Sequence, residues 1–400
     1  AAAAVVDRLP GETVAEKLAV PPEASAVARM LARLGSAAAA EGQGEPARRA
    51  SPPARVAPGR PSSSPAVSPR RPGSPPPDAL PPFLAGVSLA MRNSLDGGYH
   101  APSTAAVLDR LAGLGTDAVS LMPFAFQAAT DAPSLRYLNR HPRSETDAGM
   151  VHAGRLAAGR GMVVLWKPQI WLRGGWSGEV AMADEAAWAA WWRSYRRFLV
   201  HQAVLARWAG ADLFAVGTEL GATVHREDDW RATIAAVRRF FPGPLTYAAN
   251  WYGDFERVPF WDALDLLGID AYRPLAESPE ASPRELVAGA RAALAPLAAA
   301  ARRHGKRVLL TEAGFAAHRA AWVAPHEEGG EPAPEDQATA YRALFAALGL
   351  ADCRPPDWLA GVFLWKAFSD EVPGAPAGTR PDFRFLGRPA EQVVAHAYRC

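Results

Sequence analysis

From Pro82 to the C-terminus the chain alternates short apolar runs with longer stretches of helical periodicity, eight times over. The apolar runs are Leu84–Ala90, Ala118–Met122, Met162–Lys167, Leu213–Gly217, Leu245–Ala249, Leu264–Ile269, Arg307–Thr311 and Leu359–Trp365. Helical patterns lie near 103–114, 145–159, 184–208, 227–240, 283–303 and 335–348, with a short piece near 254–261 and a last one near 389–398. Runs such as Val163-Val164-Leu165-Trp166 are apolar at every position, so both strand faces need cover, which a parallel sheet clad in helices provides. Eight such units over about 315 residues fit closure into a (β/α)8 barrel, the TIM-barrel form of the α/β class. A doubly wound sheet is the rival. It calls for a Gly-rich phosphate turn after the first strand, and that turn is absent.

Helix starts agree with this frame. Ser103-Thr104 precedes the first helix, and Asp184-Glu185 opens the third with negative charge at its N-terminus. In the third helix Trp188, Trp192, Tyr195 and Leu199 recur at helical spacing, a stripe that reads as core and not as a ligand site. His152 lies in a helical stretch away from any strand end and reads as structural.

The first 81 residues have a different texture. Residues 46–82 hold 13 prolines among Ser, Ala, Gly and Arg, with Asp78 as the one acidic residue. Proline at that density removes backbone donors and forbids regular structure, so residues 1–81 read as a disordered region and linker before a domain at 82–400. A short helix over Ala24–Leu34 would have no partner of comparable length. The opening AAAAVV lacks Met and reads as a processed or truncated start. With such a linker, secretion or tethering to a bacterial cell surface is the expected location.

Charge excludes one class of partner. From position 83 onward 33 basic and 34 acidic residues leave a formal charge of −1, so no nucleic acid or anionic membrane surface is expected. No run of 18 apolar residues offers a membrane span. Two cysteines, Cys353 and Cys400, match no zinc or redox spacing and leave both pairing and free thiols open. A monomer acting on a neutral polymer or a small molecule suits this balance.

In a barrel, chemistry gathers at the C-terminal ends of the strands. Those positions hold Lys167 after the third strand, Glu219 after the fourth, Asn250 and Trp251 after the fifth, and Asp270 with Tyr272 after the sixth. Glu312 follows the seventh, and Trp365 and Lys366 close the eighth. Lysine is rare here, four residues against 39 arginines, which makes Lys167 and Lys366 worth locating. One glutamate at a strand end is more often an ion-pair partner. Two, on the fourth and seventh strands, face each other across the barrel mouth. Double-displacement glycoside hydrolysis needs such a pair about 5–5.5 Å apart, one as nucleophile and one as acid and then base. No histidine stands at a strand end to build a metal site, and no GxSxG, GxxxxGK[ST] or HExxH motif occurs, so neither metal nor cofactor is expected.

Aromatic residues point the same way, because the C–H faces of sugar rings stack on indole. Trp166, Trp171, Trp176, Trp251 and Trp365 lie in or just after the third, fifth and eighth strands, and two or three of the five are expected to touch substrate. The segment Trp166–Gly178, long and rich in Trp and Gly, suits one wall of a cleft.

Read together, WKPQIW (166–171), AVGTEL (215–220), LTYAANW (245–251), LLGIDAY (266–272) and LLTEAG (309–314) resemble glycoside hydrolase family 113, a TIM-barrel family that includes β-mannanases. The resemblance covers residues 84 to about 370. It implies a retaining, endo-acting β-1,4-mannanase with Glu219 as acid/base and Glu312 as nucleophile. It further implies that Lys167, Asn250, Asp270, Tyr272 and Trp365 line the substrate site, with Tyr272 hydrogen-bonded to the nucleophile. Thr218 departs from related barrels that place Asn before the acid/base, which puts transfer of sugar specificity from cellulase-like relatives in doubt. A β-1,4-glucanase on the same barrel and an inactive carbohydrate-binding barrel are the alternatives.

Overall fold

A computed structural model of the chain describes residues 80–92, 98–139, 144–372, 374, 378 and 380–399. The expected linker and the expected helix at Ala24–Leu34 lie outside the described residues, as does Cys400.

Eight parallel strands close into a barrel. In chain order they are β1 (Leu84–Ala90), β2 (Ala118–Leu121), β5 (Val163–Trp166), β7 (Leu213–Thr218), β8 (Leu245–Asn250), β9 (Leu267–Asp270), β10 (Val308–Ala313) and β11 (Leu359–Phe368). Helices α1 (Pro102–Gly113), α2 (Asp147–Ala158), α3 (Glu185–Ala209), α4 (Glu227–Arg238), α5 (Pro283–His304), α6 (Pro334–Ala347) and α7 (Pro389–Tyr398) connect and cover them. β1 pairs with both β2 and β11, which closes the ring. All eight strands coincide with the apolar runs.

The two-residue period of each strand divides the apolar side chains into two sets. Leu84, Val163, Leu165, Leu213, Ala215, Leu309 and Phe363 pack together in one small cluster, the barrel interior. Val87, Val164, Trp166, Phe214, Val216, Leu310 and Leu364 belong to the larger cluster shared with the helices. Strands apolar throughout are therefore buried on both faces, as the composition of the runs requires.

The aromatic stripe of α3 is core. Trp188, Trp192, Tyr195 and Leu199 are buried, joined by Trp191 and Phe198. Trp192 meets Trp230 of α4 edge-on at 5.2 Å, and Trp230 meets Tyr247 of β8 at 5.1 Å. Tyr195 donates its hydroxyl to the Val216 carbonyl of β7 at 2.9 Å. One aromatic seam thus fixes two helices against the strands that carry the fourth and fifth rim positions, each pair adding about 0.5–1.5 kcal/mol beyond its buried area.

Asp184 caps α3 by accepting from the Ala187 amide at 2.8 Å, as expected. At α1 the helix instead begins at Pro102, whose fixed φ suits the first helical position, and Ser103 and Thr104 fall inside the first turn. The expected short helix at 254–261 is a run of turns ending in a single 3₁₀ turn, Trp261–Ala263. Trp261 there donates to the Phe255 carbonyl, holding a compact loop that needs no helix.

A second small sheet was not legible in the sequence. β3 (Phe124–Gln127) lies between β4 (Leu135–Arg136) and β6 (Gln169–Leu172). Prolines create it: Pro123 follows β2 and Pro168 follows β5, and neither can donate to the barrel ladder. Both strands leave the barrel there and resume pairing with each other, Gln169 donating to the Pro123 carbonyl at 2.9 Å. The β3–β6 layer stands above the rim as a wall. Cys353 is disulfide-bonded.

Candidate active site

The same alternation that fills the barrel interior carries polar side chains into its mouth. Beyond Val163 and Leu165 the next inward position is Lys167. Beyond Thr246 and Ala248 it is Asn250, and beyond Leu266 and Gly268 it is Asp270. Gly268 is required where it stands, since a Cβ there would lie 2.6 Å from Thr246 Oγ1 and from the Tyr247 carbonyl.

The two glutamates reach the same mouth by breaking the alternation. β7 loses register against β8 between Ala215 and Thr218. Gly217 lies where a Cβ would meet the Trp230 ring at 2.6 Å, so the strand presses on α4 there. Glu219 follows in left-handed conformation, φ +52°, a strain of about 1–3 kcal/mol for a non-glycine residue. Its amide donates to the Ala248 carbonyl at 2.8 Å, which holds the turn. On β10 the register against β9 shifts between Leu310 and Glu312, re-aiming Glu312 inward as strand irregularities do.

Each carboxylate has its own set of donors. Glu312 Oε1 accepts from the Lys167 ammonium and from Gln169 Nε2 at 3.2 Å; Oε2 accepts from the Tyr272 hydroxyl at 2.7 Å. Three donors, one cationic, complement a carboxylate anion. Burial, then the Glu312 charge, keep the Tyr272 phenol pKa well above its ordinary value, so this hydroxyl stays a donor. Glu219 accepts from neutral donors, Asn250 Nδ2 at Oε1 and Trp176 Nε1 at Oε2, both at 3.0 Å. Burial, followed by the Glu312 charge, pushes the Glu219 pKa from 4.5 to about 7. Lys167 also pairs with Asp270 Oδ2 at 3.2 Å, and Thr311 Oγ1 donates to Asp270 Oδ1 at 2.7 Å. Burial opposes the ammonium, but the Asp270 and Glu312 charges outweigh it and raise the Lys167 pKa. Burial, then the Glu312 charge, raise the Asp270 pKa well above its ordinary value, against the pull of Lys167. One buried lysine therefore serves two acidic side chains, beside a Glu219 whose pKa is raised as well.

Both glutamates line one open cavity of ≈ 470 Å³. Of the residues expected at the substrate, Asn250, Trp251, Tyr272, Trp365 and Trp176 line it as well. Lys167 and Asp270 do not. They lie beneath the floor with no exposure, positioned to act through Glu312 and not on a sugar. Trp171 is 47% exposed on β6, outside the cavity, and meets Phe126 edge-on at 5.6 Å. Trp166 is buried and donates to Gln202 Oε1, so three of the five tryptophans line the cavity. Lys366, joined to Trp365 by a cis peptide, lies over the Trp365 ring and 3.8 Å from Glu328. His152 is exposed on α2. Thr218 lines the cavity and donates to the Pro168 carbonyl at 3.1 Å, tying β7 to the β3–β6 wall.

Gln169, Tyr252, His326 and Phe383 also line the cavity and were missed. Gln169 was the legible one: it is the next polar residue two positions after Lys167 in an otherwise apolar segment. His326 and Phe383 come from long loops after β10 and β11, where no period exists to read. Among the described residues, no group of three His, Cys, Asp or Glu side chains could hold a metal ion.

Removing the lysine tests the buried charge balance. Lys167→Met leaves Asp270 and Glu312 facing each other without a cation, and is expected to cost about 3–5 kcal/mol of stability. The loss, measured by urea unfolding, is expected to be larger at pH 7 than at pH 5, because Asp270, its pKa raised by burial and the Glu312 charge and no longer lowered by Lys167, takes a proton more readily at the lower pH.

The profile of Glycoside Hydrolase Family 113 matches residues 91–388. Among solved structures, a GH113 β-mannanase from Alicyclobacillus acidocaldarius superposes with a TM-score of 0.70 at 27% identity, covering 79% of this chain and 97% of that one. A GH113 β-1,4-mannanase gives 0.68 at 24% identity, over 79% and 99%. A glycoside hydrolase family 5 mannosidase from Rhizomucor miehei gives 0.54 at 12% identity, over 80% and 93%. The last two show likeness of fold alone. No curated protein matches.

Proposed function

The chain belongs to glycoside hydrolase family 113, and on that premise we propose that it cleaves β-1,4-linked mannan or manno-oligosaccharides with retention of configuration. One observation carries the reading: two carboxylates share a cavity, one with neutral donors and a raised pKa, the other held by a buried lysine, an amide and a phenol. The β-mannanase identity of the Alicyclobacillus acidocaldarius protein supports the choice of sugar.

Glu219 gives its proton to the glycosidic oxygen while Glu312 attacks the anomeric carbon, so the leaving sugar departs as an alcohol and a glycosyl ester forms. Ester formation removes the negative charge of Glu312. Lys167 then keeps Asp270 as its partner, and the Glu312 charge that adds to burial in raising the Glu219 pKa is gone. Glu219, now ionised and more acidic, takes a proton from water as that water attacks the same carbon and Glu312 leaves. Two inversions restore the starting configuration.

The pH profile follows. Activity requires Glu219 protonated in the free enzyme, so kcat/KM falls as pH rises through about 7. Stability has the same sign. Between 4.5 and about 7 the folded chain holds a proton on Glu219 that the unfolded chain has lost, so stability falls as pH rises through that window. Glu145 and Glu371, each pushed by burial to about 7, act in the same direction. Unfolding curves from pH 4 to 8 should show the decline, and Glu219→Gln should flatten part of it.

The substrate is tested by comparing manno- and cello-oligosaccharides of equal length. Faster cleavage of the manno series supports the proposal; faster cleavage of the cello series replaces mannan with β-1,4-glucan. Binding without turnover, unchanged in Glu312→Ala, would make the barrel a carbohydrate-binding protein.

Location is likewise a proposal: secretion or tethering at the cell surface. The disulfide at Cys353 supports an oxidising compartment, since cytosolic thiols stay reduced. The Pro-rich segment 46–82 suits a tether. No helix among the described residues is long and apolar enough to cross a membrane.

A further inference from the structure

Tyr252 is one of four large hydrophobic side chains left exposed among the described residues, at 51%. It stands at the cavity mouth, stacked on Trp176 with ring centroids 6.3 Å apart and planes 23° from parallel. Its other neighbour is Trp251, edge-on at 4.9 Å. The Tyr252 amide donates to Asn250 Oδ1 at 3.2 Å, and the same Asn250 holds Glu219 through Nδ2. Trp176 holds the second oxygen of Glu219. The two stacked rings are therefore tied to the acid/base by its own two hydrogen-bond partners. Neither ring has a hydrogen bond to Glu312, whose donors are Lys167, Gln169 and Tyr272.

The chemistry gives this asymmetry a meaning. An acid must lie within about 2.6–3.2 Å of the glycosidic oxygen, so the leaving sugar begins at Glu219, whereas the nucleophile touches the anomeric carbon of the other sugar. Rings fixed beside Glu219 and open to solvent face the leaving side. We infer that Trp176 and Tyr252 form the subsite that stacks on the first sugar of the leaving group, with the exposed Tyr252 ring as its outer platform. Such a platform also receives acceptor sugars, because the glycosyl-enzyme can be attacked by a sugar hydroxyl bound there in place of water. The oxygen of that hydroxyl bonds to the anomeric carbon, its proton passes to Glu219, and Glu312 departs.

The inference rests on the assignment of Glu219 as acid/base, and the test separates the two. Wild type, Tyr252→Ala and Tyr252→Phe are compared on mannotetraose and on β-mannobiosyl fluoride, whose leaving group is too small to reach Tyr252. Tyr252→Ala should lose about tenfold more kcat/KM on the tetraose than on the fluoride, the scale of one aromatic contact. Added mannobiose should be captured into longer products less often by Tyr252→Ala than by wild type. Tyr252→Phe, which keeps the ring, should resemble wild type in both respects. Equal losses on the two substrates, or no loss on either, would overturn the platform while leaving the catalytic pair intact. A folded wild type that cleaves neither substrate would contradict the catalytic reading instead.

Discussion

Glu312→Ala should lower kcat on manno-oligosaccharides by a factor on the order of 10⁵ or more, the scale of losing a nucleophile. The fold should survive the change. Glu312 is 7% exposed, and its removal leaves the Lys167 ammonium paired with Asp270, so one buried charge pair replaces a buried triad. Added azide offers a check on the role. With the nucleophile gone, a small anion can attack the anomeric carbon directly while Glu219 still protonates the leaving oxygen, and the product is the inverted glycosyl azide. A variant that keeps more than a hundredth of wild-type activity, or yields the retained azide, would remove Glu312 from that role.

Glu219→Ala should behave differently, and the difference assigns the second role. Loss of general acid catalysis is worth about 10²–10⁴-fold on natural oligosaccharides, whose alkoxide leaving groups need a proton. A 2,4-dinitrophenyl glycoside, whose leaving group needs none, should form its glycosyl-enzyme at close to the wild-type rate and then release it slowly. Azide should restore turnover here with retained configuration, because Glu312 still forms the intermediate. The alkaline limb near pH 7, which belongs to Glu219, should vanish from the kcat/KM profile of this variant.

How much of this was legible depended on which physical signal each residue carries. All eight barrel strands were readable because continuous apolar runs between helical periods leave little choice but a covered parallel sheet. The polar rim was readable for the related reason that an ionisable group directly after such a run must face something other than apolar core. That logic located Glu219, Glu312, Asn250 and Tyr272, all of which line the cavity. It could not distinguish lining from supporting. Lys167 and Asp270 have the same sequence context as Asn250, yet they lie under the floor, because depth depends on which long side chains meet across the barrel. Trp171 and Trp176 stand five residues apart in one Trp-rich segment; only the second lines the cavity, beyond the end of β6 and at the start of a 3₁₀ turn, Ser177–Glu179. The β3–β6 layer was hidden for another reason. Its strands β3 and β6 have four residues each and β4 has two, and the prolines that create it read locally as loop.

Glu219 is both a backbone outlier and the proposed acid. Its left-handed φ costs stability, and its buried carboxyl holds a proton at pH values where an exposed one would not. Nothing in the strand pattern requires either. Sites that depart from local structural preference in this way are where function is expected to be carried.

The most direct test of the paired-carboxylate account is a proton NMR time course of mannotetraose cleavage by the wild-type enzyme, following the anomeric signals of the newly formed reducing end. Double displacement by Glu312 and Glu219 predicts that the β-anomer appears first and then mutarotates toward equilibrium. First appearance of the α-anomer would mean that water attacks directly, and would contradict the assignment of Glu312 as a covalent nucleophile.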